Sequence, residues 1–410
     1  MAELIDLLWE GGGYGARCDR RPFRFHAFVP DLIADDDLTL AGRAADAVAR
    51  ATAALGELQT RQPAHDLEAL ATPLLRAEAL GSSFIEGLRA SNRRLALADY
   101  EPLAADGTAR AVLGNVRAME RAITIGTADR LLRLDDLLDI HHALLDGTTE
   151  ARFAGIVRTE QNWIGGRGTS PRDAAFVPPP PDRLPALLSD LIAFCNHDDI
   201  PAIAQAAIAH AQFETIHPFG DGNGRAGRCL VHVILRRREV ARRVVPPISV
   251  VLATNARRYI AGLTDFRDGH VDDWIGSFAD TVTAASTATL ELSKRIQQLL
   301  DELRIRAGSP RRDSAAHKIV LALPTHPIVS AESVATIHGI TPTAARAALN
   351  RLEAAGVLSP LRVGRRRDRE WVCDDLFQTL DEFEHLLGHG DDGDRLRPAP
   401  PATWPPKRAR

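Results

Sequence analysis

Twelve consecutive residues, 217–228, hold most of the chemically active side chains of this chain. They read HPFGDGNGRAGR and contain one histidine, one carboxylate, one side-chain amide, two arginines and four glycines. The segments before and after them have helical patterns, so these residues form a turn between two helices. Open N–H groups at the start of the second helix, with two guanidinium groups beside them, predict a polyphosphate site.

The individual side chains indicate the chemistry more closely. His217 can accept the proton of a hydroxyl nucleophile, because the ordinary pKa of imidazole lies near neutrality. Asp221 is predicted to hold Mg²⁺ against phosphate oxygens, since magnesium binds few protein carboxylates and completes its shell with phosphate and water. The sequence therefore favours transfer of a phosphorus-containing group to a hydroxyl. The other predicted phosphate contacts are Gly222, Asn223, Gly224, Arg225 and Arg228.

Three other kinds of site fit the same residues poorly. Segment 222–227 matches the GxGxxG dinucleotide pattern, but it follows a helix instead of a strand of a βαβ unit. Asp221 could begin a calcium loop, yet the twelfth position of that loop is His232 and not a glutamate. His210 and His217 lack a carboxylate or thiolate that would complete a zinc site.

The elements around the turn are predicted to be mostly helical. Residues 1–40 mix short apolar pieces with Gly and Pro and are expected to be a loosely structured lead-in. Segment 38–80 has helical periodicity with breaks at Pro63 and Pro73. Further helices are predicted at 108–126, 133–146, 184–194, 201–216, 254–265 and 271–302.

Segment 155–181 breaks the helical pattern and predicts a small β-hairpin, which we call the flap. Its two arms, 162–165 and 176–178, flank a polar turn, and prolines protect its edge. A segment of a target protein is expected to add to the flap as a strand and to present its hydroxyl to His217.

Segment 315–390 has the pattern of a winged helix-turn-helix. Two short helices are followed by Thr341 as an N-cap, Pro342 at the first helical position and Gly356 at the helix end. A basic hairpin with its turn at 364–368 would be the wing. The residues that could contact DNA phosphates are Arg346, Asn350, Arg351, Arg362, Arg365, Arg366, Arg367 and Arg369.

The 217–228 segment resembles the signature of the Fic family, HxFx(D/E)(G/A)N(G/K)RxxR, at every specified position. Members of this family mostly transfer AMP from ATP to Ser, Thr or Tyr hydroxyls of proteins. The resemblance implies that His217 is the general base, Asp221 the magnesium ligand, and Asn223 with its neighbouring glycines the anion hole. Arg225 and Arg228 would hold the β- and γ-phosphates.

The resemblance also bears on the reaction and on the nucleoside end of the site. The Doc branch phosphorylates with ATP in the reversed orientation and carries lysine at the position of Gly224, so glycine implies AMP transfer. Family members often place two adjacent tyrosines near the adenine, where this chain has tyrosine followed by isoleucine. The residues assigned to nucleotide binding on this basis are Tyr259, Ile164 and Gly165, with Arg267 as a further candidate.

Segment 82–87, SSFIEG, resembles the inhibitory motif of the family, (S/T)xxxE(G/N). Ser82, Glu86 and Gly87 stand in register with it, and its position before the core is that of an N-terminal inhibitory helix. A pair between Glu86 and Arg228 would remove the cation that the γ-phosphate needs. ATP would then bind with its α-phosphate misaligned for attack.

Composition limits the cellular setting. The chain is 45% hydrophobic with a net charge of −4, which gives no global reason to expect nucleic acid or membrane binding. Its 4 cysteines are far apart and include no CxxC pair, which is typical of a reducing compartment. The acidic N-terminus does not resemble a signal peptide, and no apolar run reaches membrane-spanning length. We therefore expect a cytoplasmic protein.

The expected architecture is all-α: a Fic-type helical domain with the flap, followed by the winged helix-turn-helix. The expected boundaries are an N-terminal helical region with the inhibitory motif at 1–107, the catalytic core at 108–303, a linker at 304–314, the winged unit at 315–390 and a disordered tail at 391–410.

Three activities remain open at this stage. The first is auto-inhibited AMP transfer to proteins, including the chain itself. The second is transcription regulation, with the Fic body sensing nucleotide without turnover, and the third is removal of AMP, with Glu86 positioning water. The intact His217, Asp221, Asn223 and Arg228 favour an active enzyme. A homodimer and a DNA duplex are partners that the sequence leaves open.

Overall fold

The computed structural model describes residues 2–12, 15–36, 38–60, 64–166, 169–361 and 369–388. Its body is helical, as predicted, and none of its helices in these ranges combines the length and apolar composition that a membrane span requires. The helices of the body are α1 Gly42–Thr60, α2 Ala64–Ile85, α3 Asn92–Tyr100, α4 Gly107–Gly126, α5 Leu134–Leu145, α6 Leu184–Cys195, α7 Ala202–Ile216, α8 Asn223–Arg237, α9 Ile248–Thr254, α10 Ala256–Arg267 and α11 Val271–Arg306.

Helix α7 is the centre of the body. Every residue from Ile203 to Ile216 is buried, and α7 packs against α6, α8, α10 and α11. The many alanines allow neighbouring helices to approach closely on all sides, which explains why this helix has no polar face. The turn at 217–228 is therefore built on the most enclosed helix of the protein.

The six helices predicted between residues 108 and 302 are confirmed in place as α4, α5, α6, α7, α10 and α11, whereas α3 and α9 were not predicted. Pro73 lies inside α2 and does not interrupt it. A proline inside a helix costs about 3 kcal/mol. Packing offsets that cost here, because Pro73 is buried and α2 packs against α4 and α9. Pro63 lies outside the described residues.

The expectation of a loose lead-in at 1–40 was wrong. Strands β1 Glu3–Trp9 and β2 Phe23–Val29 pair antiparallel over their full length. The sequence of β2, FRFHAFV, alternates apolar and polar residues with the period of a strand. The connection of thirteen residues between the strands hid this pairing, since short hairpin loops are the usual signal.

The β1–β2 hairpin holds the flap in place. The Phe28 amide donates to the Val177 carbonyl at 2.9 Å. The Asp19 carboxylate accepts hydrogen bonds from the hydroxyls of Thr169 at 2.9 Å and Ser170 at 2.7 Å. The flap itself contains less regular structure than predicted, because its arms pair only at an isolated bridge, Ile164 with Phe176.

The C-terminal unit follows α11, which extends three residues beyond the predicted core. It contains a three-stranded antiparallel sheet in the order β3-β5-β4. Its elements are α12 Ala315–Ala322, β3 Ile328–Ser330, α13 Ala331–His338, α14 Pro342–Ala354, β4 Ser359–Leu361, β5 Glu370–Val372 and α15 Asp374–Gly388. The predicted Thr341 cap and the Pro342 start of α14 are confirmed. Four predicted wing residues, Arg362, Arg365, Arg366 and Arg367, and the tail 391–410 lie outside the described ranges.

The C-terminal unit shares its hydrophobic core with the N-terminal helices. One buried cluster joins leucines of α1 and α2 to residues of α11, α12, α14 and α15. A second cluster joins Ala96 of α3 to Ile328, Val372 and Phe377. Asn92 of α3 also donates to Asp381 of α15 at 3.0 Å. The unit is thus packed against the helices on both sides of segment 82–87.

Candidate active site

The turn after α7 begins with a backbone conformation that reverses the chain sharply. His217 has φ 49° and ψ 59°, in the left-handed region that residues other than glycine rarely adopt. Its carbonyl accepts a hydrogen bond from Arg158 Nε at 2.9 Å, and the Arg158 amide donates to the Pro218 carbonyl at 2.9 Å. Arg158, a buried residue that the sequence analysis did not single out, therefore holds the strained turn.

The His217 side chain is buried in an electropositive environment. Burial, together with the charge of Arg158, lowers the pKa of His217 to about 4. Its Nδ1 atom is buried and has no hydrogen-bond partner among the described residues. The imidazole is consequently neutral at physiological pH, which is the form that can accept a proton.

The turn is closed by a side-chain amide. The Phe219 amide donates to Asn223 Oδ1 at 2.8 Å, and Asn223 Nδ2 donates back to the Phe219 carbonyl at 2.9 Å. Asn162 of the flap donates to the same carbonyl at 3.1 Å. The amide of Asn223 thus fixes the turn, and any anion contact from this residue comes from its backbone N–H at the start of α8.

His141 of α5 supports the turn from the other side. Its ring stacks on Phe219 at a centroid distance of 3.6 Å. Its Nδ1 accepts from the Gly155 amide at 3.1 Å, so the proton of the neutral ring lies on Nε2, which donates to the Asp221 carbonyl at 2.8 Å. Burial lowers the pKa of His141 to about 4, which keeps this tautomer neutral. His141 is therefore a positioning residue.

The anion cradle was predicted at the start of α8. Gly222 is the N-cap with φ 77°, and the helix then runs through Asn223, Gly224 and Arg225. Arg225 is buried, and its Nη2 lies 3.7 Å from Asp221 Oδ2. The Asp221 side chain is 33% exposed, so its carboxylate remains accessible to a cation. One accessible carboxylate beside a phosphate cradle fits Mg²⁺, which takes its other ligands from phosphate and water.

Arg228 lies one turn further along α8 and is 2% exposed. Its Nε donates to Ser82 Oγ at 2.9 Å, and its Nη2 donates to the Ser82 carbonyl at 2.8 Å. The same Nη2 donates to Glu86 Oε1 at 2.8 Å. The predicted contact between segment 82–87 and the motif is therefore present in the structure.

Glu86 reaches Arg228 from the C-terminal end of α2. Gly87 has φ 81°, and the Leu88 amide donates to the Ser83 carbonyl at 3.0 Å, as in a Schellman cap. Burial alone would raise the pKa of Glu86, but the charges of Arg228 and Arg225 outweigh it and lower the pKa below its ordinary value. Glu86 is therefore ionised at neutral pH.

The absence of a side chain at Gly224 leaves room for the Glu86 carboxylate beside the start of α8. A Cβ atom at position 224 would lie 2.1 Å from Glu86 Oε1 and 3.0 Å from Arg228 Nη1. The carboxylate thus lies directly against the backbone at the start of α8, where a phosphate contact was predicted.

The residues predicted to bind the nucleoside lie on the flap and on α10. Arg267 lies 4.1 Å from the ring centre of Phe176, while Ile164 and Gly165 lie in the opposite arm of the flap. Tyr259 is 6% exposed, and its hydroxyl lies 2.8 Å from His210 Nε2 and 3.5 Å from Arg228 Nη1. Tyr259 therefore contacts the guanidinium group of Arg228, and its assignment to the adenine pocket stays a prediction.

Comparison with known proteins agrees with this geometry. Residues 131–235 match the model of the Fic/DOC family, and residues 45–124 match that of the Fic/DOC family N-terminal region. The chain carries a Fic/DOC domain. The predicted family resemblance is confirmed in the segments that contain both motifs.

Curated relatives are similar to this chain over shorter segments. The protein adenylyltransferase fic-1 of Caenorhabditis elegans is 32% identical over 143 residues, 33% of this chain and 25% of that protein. A probable protein adenylyltransferase of Aquifex aeolicus is 35% identical over 99 residues, 24% of this chain and 28% of that protein. The chain thus matches about a quarter of the length of these relatives.

A solved structure extends the similarity in fold. A Fic family protein from Desulfovibrio desulfuricans G20 aligns with a TM-score of 0.50 at 20% identity, covering 82% of this chain and 97% of that one. The coverage includes more than the segments that the family models match, so the fold resemblance is not confined to the turn.

We predict that the imidazole of His217 stays neutral at about pH 5.5, where an ordinary histidine is mostly charged. The reason is that burial and Arg158 lower its pKa to about 4. NMR of ring-labelled histidine, followed from neutral to acidic pH and assigned by loss of the signal in His217→Gln, measures this directly. A titration midpoint near the ordinary value would show that the ring is solvated and the description of the site is wrong.

Proposed function

We propose that this protein is an auto-inhibited protein adenylyltransferase that transfers AMP from ATP to hydroxyl groups of proteins. The observation that carries the proposal is the neutral, buried imidazole of His217 beside the N-terminus of α8 and Arg228. A base, an anion cradle and a buried guanidinium group in one turn are the groups that nucleotidyl transfer to a hydroxyl requires.

In the proposed reaction, the backbone N–H groups at 222–224 hold the α-phosphate, while Arg225 and Arg228 hold the β- and γ-phosphates. The target hydroxyl gives its proton to His217, and its oxygen forms a bond to the α-phosphorus. The bond between the α- and β-phosphates breaks, and pyrophosphate leaves. Mg²⁺ bound at Asp221 would supply positive charge to the phosphates of the leaving group.

We propose that Glu86 restrains this reaction by occupying Arg228. A charge-assisted hydrogen bond contributes about 1.5–3 kcal/mol. An incoming γ-phosphate has to displace that bond and also meets the negative charge of Glu86 against Gly224. ATP then binds with its phosphates shifted, which moves the α-phosphorus away from His217.

We propose that the target docks on the flap as an added strand. The β1–β2 hairpin already bonds to the arm 176–178 through Val177. The arm 162–165 is therefore the one we assign to the target, with Asn162 tied to the carbonyl of Phe219 and so to the turn that carries His217.

We also propose that the C-terminal unit is a winged helix that contacts DNA through α14. Its order of helices and strands agrees with that fold, and Arg346, Asn350 and Arg351 lie on the exposed side of α14. Arg369, by contrast, pairs with Glu353. We expect a fluorescent DNA duplex to bind the full chain with a salt-dependent affinity that Arg346→Ala with Arg351→Ala reduces; equal affinity of chain and variant would contradict it.

We predict that Glu86→Gly raises the rate of AMP incorporation by about tenfold or more, because Arg228 becomes available to the γ-phosphate. Incubation with ATP labelled at the α-phosphate, with Mg²⁺, measures it, and the chain itself can serve as the acceptor. The same substitution at Asp146, an exposed acid at the C-cap of α5, is the matched control and should leave the rate unchanged.

His217→Ala should abolish incorporation in both backgrounds. Label at the γ-phosphate should not be incorporated if AMP is the transferred group. If Glu86→Gly leaves the rate of AMP incorporation unchanged, inhibition by Glu86 is contradicted. If label from the γ-phosphate is incorporated, the transferred group is phosphate and not AMP.

A further inference from the structure

Glu214 is a buried carboxylate of the site to which nothing above gives a role. It lies on α7, one helical turn before His217, and is 8% exposed. Its Oε1 atom is fully buried and has no hydrogen-bond partner among the described residues. A buried acceptor without a donor costs about 1–3 kcal/mol, so its retention in an enclosed site needs a reason.

The packing of α7 on α8 fixes where this carboxylate lies. A Cβ atom at position 227 would come within 2.7 Å of Glu214 Oε1. A side chain at 227 would therefore displace the Glu214 carboxylate from the crossing of the two helices. Gly227 precedes Arg228, so Glu214 lies beside the phosphate-binding end of the site.

Two arginines act on Glu214 through their charges. Arg228 and Arg267 both favour its ionised form, but burial outweighs them and raises the pKa of Glu214 to about 7. The guanidinium group of Arg228 donates hydrogen bonds to Ser82, Glu86 and Tyr259. The guanidinium group of Arg267 donates a hydrogen bond to Thr264. The charges of Arg228 and Arg267 thus act on Glu214, while the hydrogen bonds of both guanidinium groups go to other residues.

In the proposed function, the two arginines whose charges act on Glu214 lie at opposite ends of the nucleotide. Arg228 belongs to the phosphate end, and Arg267 lies against Phe176 of the flap at the nucleoside end. The ionised form of Glu214 can only accept hydrogen bonds, and phosphate groups at neutral pH also only accept them. The donors that a nucleotide offers are the ribose hydroxyls and the amino group of adenine.

We infer that Glu214 is a specificity-determining residue that accepts a hydrogen bond from the nucleoside part of the bound nucleotide, from a ribose hydroxyl or from the adenine 6-amino group. This inference rests on the proposed function, since it takes the nucleotide to lie along α8 with its phosphates at Arg228. It adds a contact on α7 to a site whose other nucleotide contacts lie on α8, α10 and the flap. A site that meets a substrate donor with a buried acceptor rejects analogues that lack the donor.

The test is a comparison of nucleotide affinities by calorimetry in the full chain carrying Glu86→Gly and His217→Ala, so that Arg228 is available and turnover is absent. The ligands are ATP, its 2′-deoxy and 3′-deoxy analogues, and purine riboside triphosphate, which lacks the 6-amino group. We expect one of the three analogues to bind about tenfold more weakly than ATP when Glu214 is present. With Glu214→Ala that difference should fall below about twofold.

Two further variants separate recognition from structure. Glu214→Gln keeps an acceptor oxygen and the side-chain shape, so it should retain the preference for ATP over that analogue. Gln212→Ala, on the same helix, removes a buried side chain that bonds to the Asp31 carbonyl at 2.7 Å, and it should leave the preference unchanged.

The analogue that loses affinity identifies the donor as a ribose hydroxyl or the amino group. If each analogue binds more weakly than ATP by the same factor in the protein with Glu214 and in the Glu214→Ala variant, the inference is overturned. Because binding is measured without turnover, that result is distinct from failure of AMP transfer. A chain that transfers no AMP but shows the preference would refute only the proposed function.

Discussion

The structure of this site depends on one charge-assisted hydrogen bond, from Arg228 to Glu86. Arg228 is buried, so its charge must be met by acceptors at all times. Ser82 and Tyr259 hold one part of the guanidinium group in place, and Glu86 meets the remaining part. A Cβ atom at position 224 would lie 2.1 Å from Glu86 Oε1, so the glycine there leaves room for the carboxylate. In the proposed function, this carboxylate and the γ-phosphate compete for a single cation.

The position of Glu86 is set by buried contacts further back along α2. The Glu78 carboxylate accepts from the Ser249 amide at 2.6 Å and lies 2.8 Å from His232 Nε2, which ties α2 to α9 and α8. Gly81 lies so close to α9 that a Cβ there would meet the backbone of Val250 at 2.6 Å. The hydrophobic core that α2 shares with the C-terminal unit adds to this. Glu86 is therefore presented to Arg228 by a fixed helix.

The sequence was sufficient for the parts of the site that local patterns encode. Spacing within 217–228 predicted a turn that leads into the start of α8, and the resemblance of segment 82–87 to the inhibitory motif predicted the contact of Glu86 with Arg228. The supports could not be found this way. Arg158 and His141 act through backbone carbonyls of residues distant in sequence, and such bonds leave no pattern in the chain. The same limit hid the β1–β2 hairpin, whose strands are joined by a long connection, and the shared core of the C-terminal unit, since both depend on non-local contacts.

The central claim is that Glu86 and the γ-phosphate exclude each other at Arg228. The most direct measurement is the ratio of ATP to ADP affinity in His217→Ala protein, with and without Glu86→Gly. ADP lacks the γ-phosphate, so removal of Glu86 should strengthen binding of ATP by about tenfold more than binding of ADP. An equal gain for both nucleotides, or none for either, would show that Glu86 does not compete with the γ-phosphate and would contradict this account.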